Sequence, residues 1–512
     1  MFFLYNKSIA ITVHERIWIM IRITNNLIRK QPNFWNHCLF HPTDAVEDPW
    51  GRRILDRMAE DGAIQTVRIY TMFEDIVYQD ETGKLLYDFR LSDLRLDYLL
   101  EKGYDLILAY GGMPDCIARS TSSKNSAAKG KTRYKGKMWN TSPPADLSLW
   151  EEICYEYTKH IVERYGIERV ATWYCQCFNE PDIRTFFMGE LPREASVERA
   201  LEYSKMYEAF QKGVRRVSER IRVGGPTLAH RPAFLPPFLD YVKEKNLKLD
   251  YLALHNYGTS PTFLNEGSIP LTVNNHLVRE KEYMDIIVEK GFGDVELVYD
   301  EWGASSHGYH NMEESPSLIF RENEVYAAYY VKLIHTFLRT KHKPTKMLLC
   351  LSGQHEMVTD FSGFRNFFTL NFIKKPIYNA FILASKLGED LMDAKVDDEN
   401  IFVVPTKSQK GDYAVLLSYS SECFEENLPA KQEVVTFDED VSDKTVTVYC
   451  IDKTHTNPYR LYEKLGMGEM NQEMLSKLRE EGNLKPVAVQ TGDEPLTLHL
   501  TANSTYLIMI TE

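Results

Sequence analysis

The hydrophobic positions of the chain follow two different patterns, one before and one after residue 388. Between residues 33 and 387, short apolar runs alternate with longer stretches in which apolar residues recur every three or four positions. Such runs are typical of buried strands in a parallel sheet, and the stretches between them are typical of covering helices. The centres of the runs lie near residues 38, 68, 108, 174, 223, 253, 298 and 349. Eight strands that each precede a helix predict an α/β fold, a (β/α)8 TIM barrel.

From residue 388 onward the apolar runs become strands with short polar connections. We interpret the segments 402–404, 413–417, 434–435, 445–449 and 505–510 as antiparallel strands. One helix, near residues 472–481, interrupts them. This arrangement predicts a β-sandwich accessory domain over residues 388–512, after a catalytic barrel over residues 33–387.

The N-terminal residues 1–19 look apolar but do not form an export signal. Lys7, Glu15 and Arg16 interrupt the apolar run, and no small-residue cleavage site follows it. Met20 is a second possible start, so we interpret residues 1–19 as a possible wrongly assigned extension. The lack of an export signal predicts a cytoplasmic protein.

Composition narrows the possible partners. The formal net charge of −13 argues against nucleic acid and against anionic membrane surfaces, because both require a basic face. No stretch reaches the ~18 apolar residues that a membrane-spanning helix needs. The eight cysteines lack the paired spacing of zinc sites, which favours buried free thiols in a reducing compartment.

The fourth apolar run ends at a short polar motif. Residues 172–178 are followed by Asn179, Glu180 and Pro181, and proline cannot continue a central strand because it lacks the N–H group of the ladder. Glu301 ends the seventh run in a similar position. In a barrel, the chemistry lies at the carboxyl ends of the strands. Because strands four and seven lie on opposite sides of the mouth, we expect Glu180 and Glu301 to face each other.

Two facing carboxyl groups can share one reaction. One is held protonated and donates to a leaving oxygen, while the other is ionised and attacks or orients water. Glycoside hydrolysis uses such a pair, and a separation of ~5–5.5 Å gives retention of configuration. The alternatives are structural roles, with Glu180 at a helix N-terminus and Glu301 in an ion pair. A non-catalytic carbohydrate-binding barrel is the alternative from another functional class.

The sixth run ends with His255 and Tyr257, which point to the same face because side chains alternate along a strand. We expect Tyr257 to donate to Glu301 and keep it ionised, and His255 to contact a sugar hydroxyl. A hydrogen-bonded core histidine is the alternative. His41 and Asp44 resemble a metal-binding pair, but no third ligand lies at metal-site spacing. We therefore predict no metal and no cofactor.

Several segments together resemble glycoside hydrolase family 39, the β-xylosidase and α-L-iduronidase family, within the larger clan of retaining (β/α)8 glycosidases. The resemblance extends from about residue 20 to the end of the chain. Besides Asn179-Glu180-Pro181 and Glu301, the matching segments are 67–73, 112–114, 139–144, 223–226, 254–257, 374–376 and 457–466.

The resemblance implies a role for each candidate residue. Glu180 is implied as the acid/base, Glu301 as the nucleophile and Asn179 as the partner of the sugar 2-hydroxyl group. The predicted substrate-binding residues around the sugar are Asn179, His255, Tyr257, Glu356, Tyr70 and Phe364. The resemblance also implies that an N-terminal strand, residues 20–32, joins the sandwich, and that a homo-oligomer is possible.

The resulting prediction is a retaining exo-glycosidase that releases terminal β-xylosyl residues from xylo-oligosaccharides or related plant-type glycosides. Arabinosides, galactosides and uronides are the alternative substrates. The chain departs from the pattern usual in bacterial β-xylosidases beside the sugar: Tyr70 replaces a histidine, Gly353 an aspartate, and Asp300 the threonine that precedes the nucleophile. Residues 348–350 replace an aromatic run. The catalytic pair therefore has stronger support than the identity of the sugar.

Overall fold

The computed structural model describes residues 20–40, 46–125, 138–259, 271–306, 308, 310–352 and 357–512. The segment 1–19, the pair His41 and Asp44, and Glu356 lie outside these ranges. The strands in chain order are β1 (Met20–Lys30), β2 (His37–Phe40), β3 (Thr66–Tyr70), β4 (Val77–Gln79), β5 (Leu85–Tyr87), β6 (Asp105–Tyr110), β7 (Lys124–Asn125), β8 (Trp139–Asn140), β9 (Tyr174–Cys177), β10 (Arg222–Leu228), β11 (Tyr251–Tyr257), β12 (Glu296–Gly303), β13 (Lys346–Leu351), β14 (Asp390–Lys395), β15 (Ile401–Lys407), β16 (Tyr413–Tyr419), β17 (Lys431–Phe437), β18 (Thr445–Ile451), β19 (Pro486–Thr491), β20 (Leu496–Leu500) and β21 (Ser504–Thr511).

The helices of the described residues mostly lie between the barrel strands. They are α1 (Pro49–Glu60), α2 (Arg90–Glu101), α3 (Leu147–Tyr165), α4 (Ile167–Val170), α5 (Ser196–Val217), α6 (Leu235–Glu244), α7 (Asn274–Glu289), α8 (Glu324–Phe337), α9 (Pro376–Ala384), α10 (Pro458–Lys464) and α11 (Gln472–Glu481). Local sequence explains where several begin. At α1, the Asp48 carboxylate accepts the backbone N–H of Trp50, and Pro49 occupies the first turn, where no N–H partner is needed.

Eight parallel strands close into a barrel in the order β2, β3, β6, β9, β10, β11, β12 and β13. These are the eight strands predicted from the apolar runs, so the predicted (β/α)8 fold is confirmed. Apolar side chains on one face of the strands pack against the helices, and those on the other face form a separate cluster inside the barrel. The interior cluster consists of Ile107, Tyr174, Tyr251, Ala253, Val298 and Leu348.

The C-terminal strands form a nine-stranded sheet that includes the N-terminal strand. Strand β1 pairs antiparallel with β14 and parallel with β17, and Ile21 and Ile23 are buried in the core of this sheet. The predicted accessory β-domain is thereby present. The domain boundaries at residues 33 and 388 stay predictions.

Two helices accompany the C-terminal strands, and the prediction of a single helix was wrong. The missed helix is α10, which has seven residues and is too short to show apolar periodicity. Its start follows from its sequence, because the side chain of Asn457 accepts the backbone N–H of Arg460 and Pro458 occupies the first turn.

A polar contact joins the first turn of the barrel helix α8 to the first turn of helix α10 in the C-terminal part of the chain. The fully buried carboxylate of Glu324 accepts hydrogen bonds from Arg460 Nη2 at 2.8 Å and from Asn457 Nδ2 at 2.8 Å. Among the helices of the described ranges, none has the length and apolar character needed to cross a membrane.

Candidate active site

The predicted site residues converge at the carboxyl ends of four barrel strands. Tyr70 ends β3, Glu180 follows β9, His255 and Tyr257 lie at the end of β11, and Glu301 lies near the end of β12. In the register of the barrel, His255 lies beside Glu301. The apolar interior layer lies nearer the other end, so these polar groups form the floor of the barrel mouth.

Glu180 is held by a tight turn rather than by the strand itself. Strand β9 ends at Cys177, earlier than the apolar run 172–178 predicted. Phe178 and Glu180 both have positive φ, 62° and 45°, which ends the extended conformation before Pro181 is reached. The backbone N–H of Glu180 donates to the carbonyl oxygen of Thr227 at 3.0 Å, which ties the turn to β10.

Asp182 ties the turn to the loop after β10 a second time. Its fully buried carboxylate accepts the backbone N–H groups of Ala229, His230 and Arg231 at 2.8, 2.9 and 2.9 Å. Hydrogen bonds to a charged group are stronger than those between neutral groups. The turn that carries Glu180 is therefore tied to β10 and to the loop after it.

Glu301 receives hydrogen bonds at both carboxylate oxygens. Arg68 Nη1 donates to Oε1 at 2.8 Å, and the Tyr70 hydroxyl lies 3.4 Å from the same oxygen. The Tyr257 hydroxyl donates to Oε2 at 2.7 Å, as predicted from the sequence. All of these bonds favour the ionised form of the carboxyl group.

The two carboxyl groups have opposite pKa shifts. Burial raises the pKa of Glu301, but the charges of His255 and Arg68 and the hydrogen bond from Tyr257 outweigh it and lower the pKa to about 2. Burial raises the pKa of Glu180, the hydrogen bond and charge of His255 oppose the rise, and the charge of Glu301 adds to it. Two neighbouring carboxyl groups with divergent pKa values are the usual mark of a base or nucleophile beside an acid.

The two carboxyl groups are also close together. One oxygen of Glu180, one oxygen of Glu301 and one ring nitrogen of His255 all lie within 4.8 Å of one another. Side-chain exposure is 14% for Glu180 and 8% for Glu301, so both are reached from the mouth. His255 is fully buried and its Nδ1 lies 2.9 Å from Glu180 Oε1.

The Glu180, His255 and Glu301 cluster has the residue types of a metal site, but its charges do not suit a cation. The Arg68 guanidinium is already bound to Glu301. Burial lowers the pKa of His255, but the charges of Glu301 and Asp300 and the bond to Glu180 raise it to about 9. A protonated imidazole has no free lone pair for a metal. The residues of this cluster therefore do not fit a metal cofactor.

The other predicted sugar-binding residues fall into three groups. Asn179 and Tyr70 lie at the mouth, and Asn179 Oδ1 accepts from Arg68 Nη2 at 2.7 Å. Phe364 is buried in the segment after β13, where its carbonyl oxygen accepts from Lys375, and no hydrogen bond of the described residues links it to the carboxyl pair. Glu356 falls outside the described residues.

Two buried arginines of the site were missed from the sequence. Arg68 had a detectable signal, because it alternates with Val67 and Ile69 and so points into the barrel from an otherwise apolar strand. Arg365 had none, because it lies in an irregular segment after β13. Its guanidinium stacks over the Tyr257 ring at 5.1 Å and donates to Ser352 and Cys350.

An aromatic cavity adjoins the carboxyl pair. Tyr70 and Asn179 line it on the side of the catalytic floor, and Trp139, Phe178 and Phe186 line the other walls. The rings of Tyr70 and Trp139 meet edge to face at 6.4 Å. Apolar ring faces beside a few convergent polar groups are the usual lining of a small-molecule site.

The comparisons with known proteins agree with this geometry. The family model described as glycosyl hydrolases family 39 matches residues 19–492. A β-xylosidase from Caldicellulosiruptor saccharolyticus is 24% identical over 504 residues, which is 93% of this chain and 94% of that protein. An α-L-iduronidase from Mus musculus is 22% identical over 253 residues, covering 44% of this chain and 35% of that protein.

The solved structures show the same fold. The crystal structure of a monomeric β-xylosidase from Caulobacter crescentus superimposes with a TM-score of 0.80 and 18% identity, over 96% of this chain and 99% of that chain. The family model, which covers nearly the whole sequence, establishes the family. The chain belongs to glycosyl hydrolases family 39 and is a glycosidase that acts on a carbohydrate substrate.

Proposed function

We propose that the protein is a retaining exo-glycosidase that releases terminal β-xylosyl residues from xylo-oligosaccharides or related plant-type glycosides. The observation that carries this proposal is the approach of Glu180 and Glu301, with one oxygen of each within 4.8 Å of the other. Retaining enzymes place the carboxyl groups ~5–5.5 Å apart, whereas inverting enzymes need ~6.5–9.5 Å to admit a water molecule between them. The short separation favours retention.

The two steps use the opposite pKa shifts of the pair. In the first step, ionised Glu301 attacks the anomeric carbon while protonated Glu180 gives its proton to the departing glycosidic oxygen. In the second step, Glu180 removes a proton from water, and the water oxygen displaces Glu301 from the anomeric carbon. The first step leaves Glu180 ionised and ready to act as the base, and the second step restores protonated Glu180 and ionised Glu301.

The neighbouring groups orient the sugar in this proposal. Asn179, which accepts from Arg68, bonds the 2-hydroxyl group in this proposal, and Tyr70 lines the same cavity. His255 is fully buried and acts through Glu180. Trp139 and Phe186 offer ring surfaces to the apolar faces of the sugar units. Phe364 and Glu356 are retained as expected contributors to sugar binding.

The xylosyl preference is supported by the β-xylosidase that matches almost the full chain. Uronides are the second candidate, because Arg365 is 5% exposed and its Nη1 has no hydrogen-bond partner among the described residues. A buried, unpaired guanidinium nitrogen beside Tyr257 is suited to a substrate carboxylate.

A panel of 4-nitrophenyl glycosides tests the substrate assignment. We expect the β-xyloside to give the highest kcat/KM, with slower release from the α-L-arabinoside and β-galactoside. A uronide that is cleaved faster than the xyloside would transfer the assignment to the second candidate. Failure to cleave any member would favour a non-catalytic carbohydrate-binding barrel.

Proton NMR of the first product tests the stereochemistry. We expect the β-anomer of the released sugar to appear before mutarotation, as double displacement requires. Initial formation of the α-anomer would contradict a retaining mechanism. The cytoplasmic location, a role in xylan degradation and a homo-oligomeric state remain predictions from the sequence.

A further inference from the structure

Asp300, the residue before the nucleophile, is a fully buried carboxylate beneath the site. One oxygen, Oδ2, accepts from Gln176 Nε2 at 2.8 Å and lies 3.2 Å from Arg68 Nη2. The other oxygen, Oδ1, has no hydrogen-bond partner among the described residues. A buried carboxylate oxygen without a hydrogen-bond partner is costly, so a hydrogen-bond donor that faces it would stabilise its charge.

His255 is the group that faces this oxygen. Its Nε2 lies 3.7 Å from Asp300 Oδ1, and this nitrogen also has no hydrogen-bond partner in the described part of the chain. The other ring nitrogen, Nδ1, lies 2.9 Å from Glu180 Oε1 and 3.6 Å from Glu301 Oε2. The imidazole therefore joins Asp300 on one side to the acid/base on the other.

The carboxylates around the imidazole stabilise one additional proton. Asp300, Glu301 and Glu180 face it from β12 and from the turn after β9, and Arg68 on β3 neutralises one negative charge. Arg68 offsets one of the carboxylate charges around the imidazole, and one proton shared between Glu180 and His255 offsets another. That proton can lie on Glu180 or on His255.

We propose that Asp300 is a positioning residue that holds a proton on Nε2 of His255, so that Nδ1 and Glu180 share the proton used for acid/base catalysis. The inference rests on the proposed retaining mechanism and adds a residue to it. Asp300 touches neither the sugar nor the reacting atoms; it acts through the imidazole.

The proton balance of the two steps follows from this arrangement. When the glycosidic C–O bond breaks, the shared proton passes from Glu180 to the leaving oxygen, which leaves Glu180 as a carboxylate and Nδ1 without a proton. When water attacks the glycosyl-enzyme, its proton passes to Glu180 and the C–O bond to Glu301 breaks. In both steps Nε2 stays protonated against Asp300, which fixes the imidazole tautomer.

The pH profile of Asp300→Asn tests the proposal. Removing the negative charge makes the shared proton easier to lose, so the alkaline limb of kcat/KM should move to lower pH by about one unit or more. The loss of activity should be larger for an alkyl or methoxyphenyl glycoside than for a dinitrophenyl glycoside, because only poor leaving groups need the acid.

Gln176→Met provides the matched control. It removes the neutral hydrogen bond to the other oxygen of Asp300 but keeps the carboxylate, so the thermal midpoint should fall while the alkaline limb stays in place. An Asp300→Asn enzyme whose alkaline limb coincides with that of the wild type, with equal losses on both leaving groups, would overturn the proposal. A second buried variant in the sandwich, Asp452→Asn, should retain the wild-type profile.

Glu180→Gln separates this inference from the proposed function. If that variant loses the poor leaving groups selectively and Asp300→Asn does not shift the limb, only the role of Asp300 fails. If Glu180→Gln treats both leaving groups alike, the assignment of Glu180 itself fails.

Discussion

At the scale of single residues, the site works because two identical side chains have different surroundings. Glu301 receives hydrogen bonds from Arg68 and Tyr257, which stabilise its negative charge. Glu180 lacks an arginine partner among the described residues and faces the negative charge of Glu301. The same chemical group is thereby ready to attack in one position and to donate a proton in the other.

Glu301→Gln should abolish hydrolysis, because a neutral amide cannot attack the anomeric carbon. We expect kcat to fall by at least roughly 10³-fold on an aryl glycoside, measured by release of the nitrophenol. Glu280→Gln is the matched control, since Glu280 is a buried glutamate on α7 away from the mouth. An active Glu301→Gln enzyme would contradict the assignment of the nucleophile.

Tyr257→Phe should change the acidic side of the pH profile. The Tyr257 hydroxyl stabilises ionised Glu301 and helps to hold its pKa at about 2. Without this bond the folded-state pKa of Glu301 rises, so the acidic limb of kcat/KM should move to higher pH. An acidic limb that stays in place would show that Arg68 and His255 suffice to keep Glu301 ionised.

At the scale of elements, the turn after β9 depends on Asp182. Asp182→Ala removes three hydrogen bonds from backbone N–H groups to a buried carboxylate and leaves those groups unpaired. We expect a loss of about 2–4 kcal/mol in the free energy of unfolding, measured by urea denaturation, together with a lower kcat.

Asp146→Ala is the control for this prediction. Asp146 also accepts a backbone N–H, that of Ser148, but it does so at the start of α3 and at the surface. The variant should lose a little stability and keep full kcat. Equal kcat losses in the two variants would show that Asp182 does not position Glu180.

Strands and helices were predictable from the sequence where neighbouring residues alone determine where they begin and end. Each of the eight barrel strands contains a short apolar run, so the hydrophobic pattern revealed it, and Pro181 indicated that β9 ends before that residue. The shortened end of β9 was less predictable, because the turn with positive φ at Phe178 and Glu180 is held by backbone hydrogen bonds to Tyr110 at the end of β6 and to Thr227 in β10. Helix α10 had a cap signal but was too short for periodicity.

At the scale of the whole molecule, distant segments complete the site. The carboxyl pair was predictable because barrel topology brings the ends of strands four and seven to one mouth. Arg365 and the contact between Asp300 and His255 were not, because they depend on side-chain packing between segments far apart in sequence. No local pattern of residues carries that information.

The barrel and the sheet should be coupled through Glu324. Arg460→Met would leave this carboxylate buried with Asn457 as its remaining side-chain partner from the sheet. We expect a loss of about 3–5 kcal/mol in stability, because an uncompensated buried charge is costly, and a lower Tm by calorimetry. Arg22→Met, which breaks an exposed ion pair with Asp438, should leave Tm unchanged. Equal Tm values in the two variants would contradict this coupling.

Mass spectrometry of the trapped intermediate tests the central claim most directly. An activated 2-deoxy-2-fluoro-β-xyloside should inactivate the enzyme and add one fluoroxylosyl group per chain. The fluorine slows both steps, but the reactive leaving group keeps the first step fast enough for the glycosyl-enzyme to accumulate. After proteolysis, the account predicts that the label lies on Glu301. A label on another residue would contradict the proposed mechanism, as would steady hydrolysis of the nitrophenyl xyloside by an enzyme that never accumulates a labelled form.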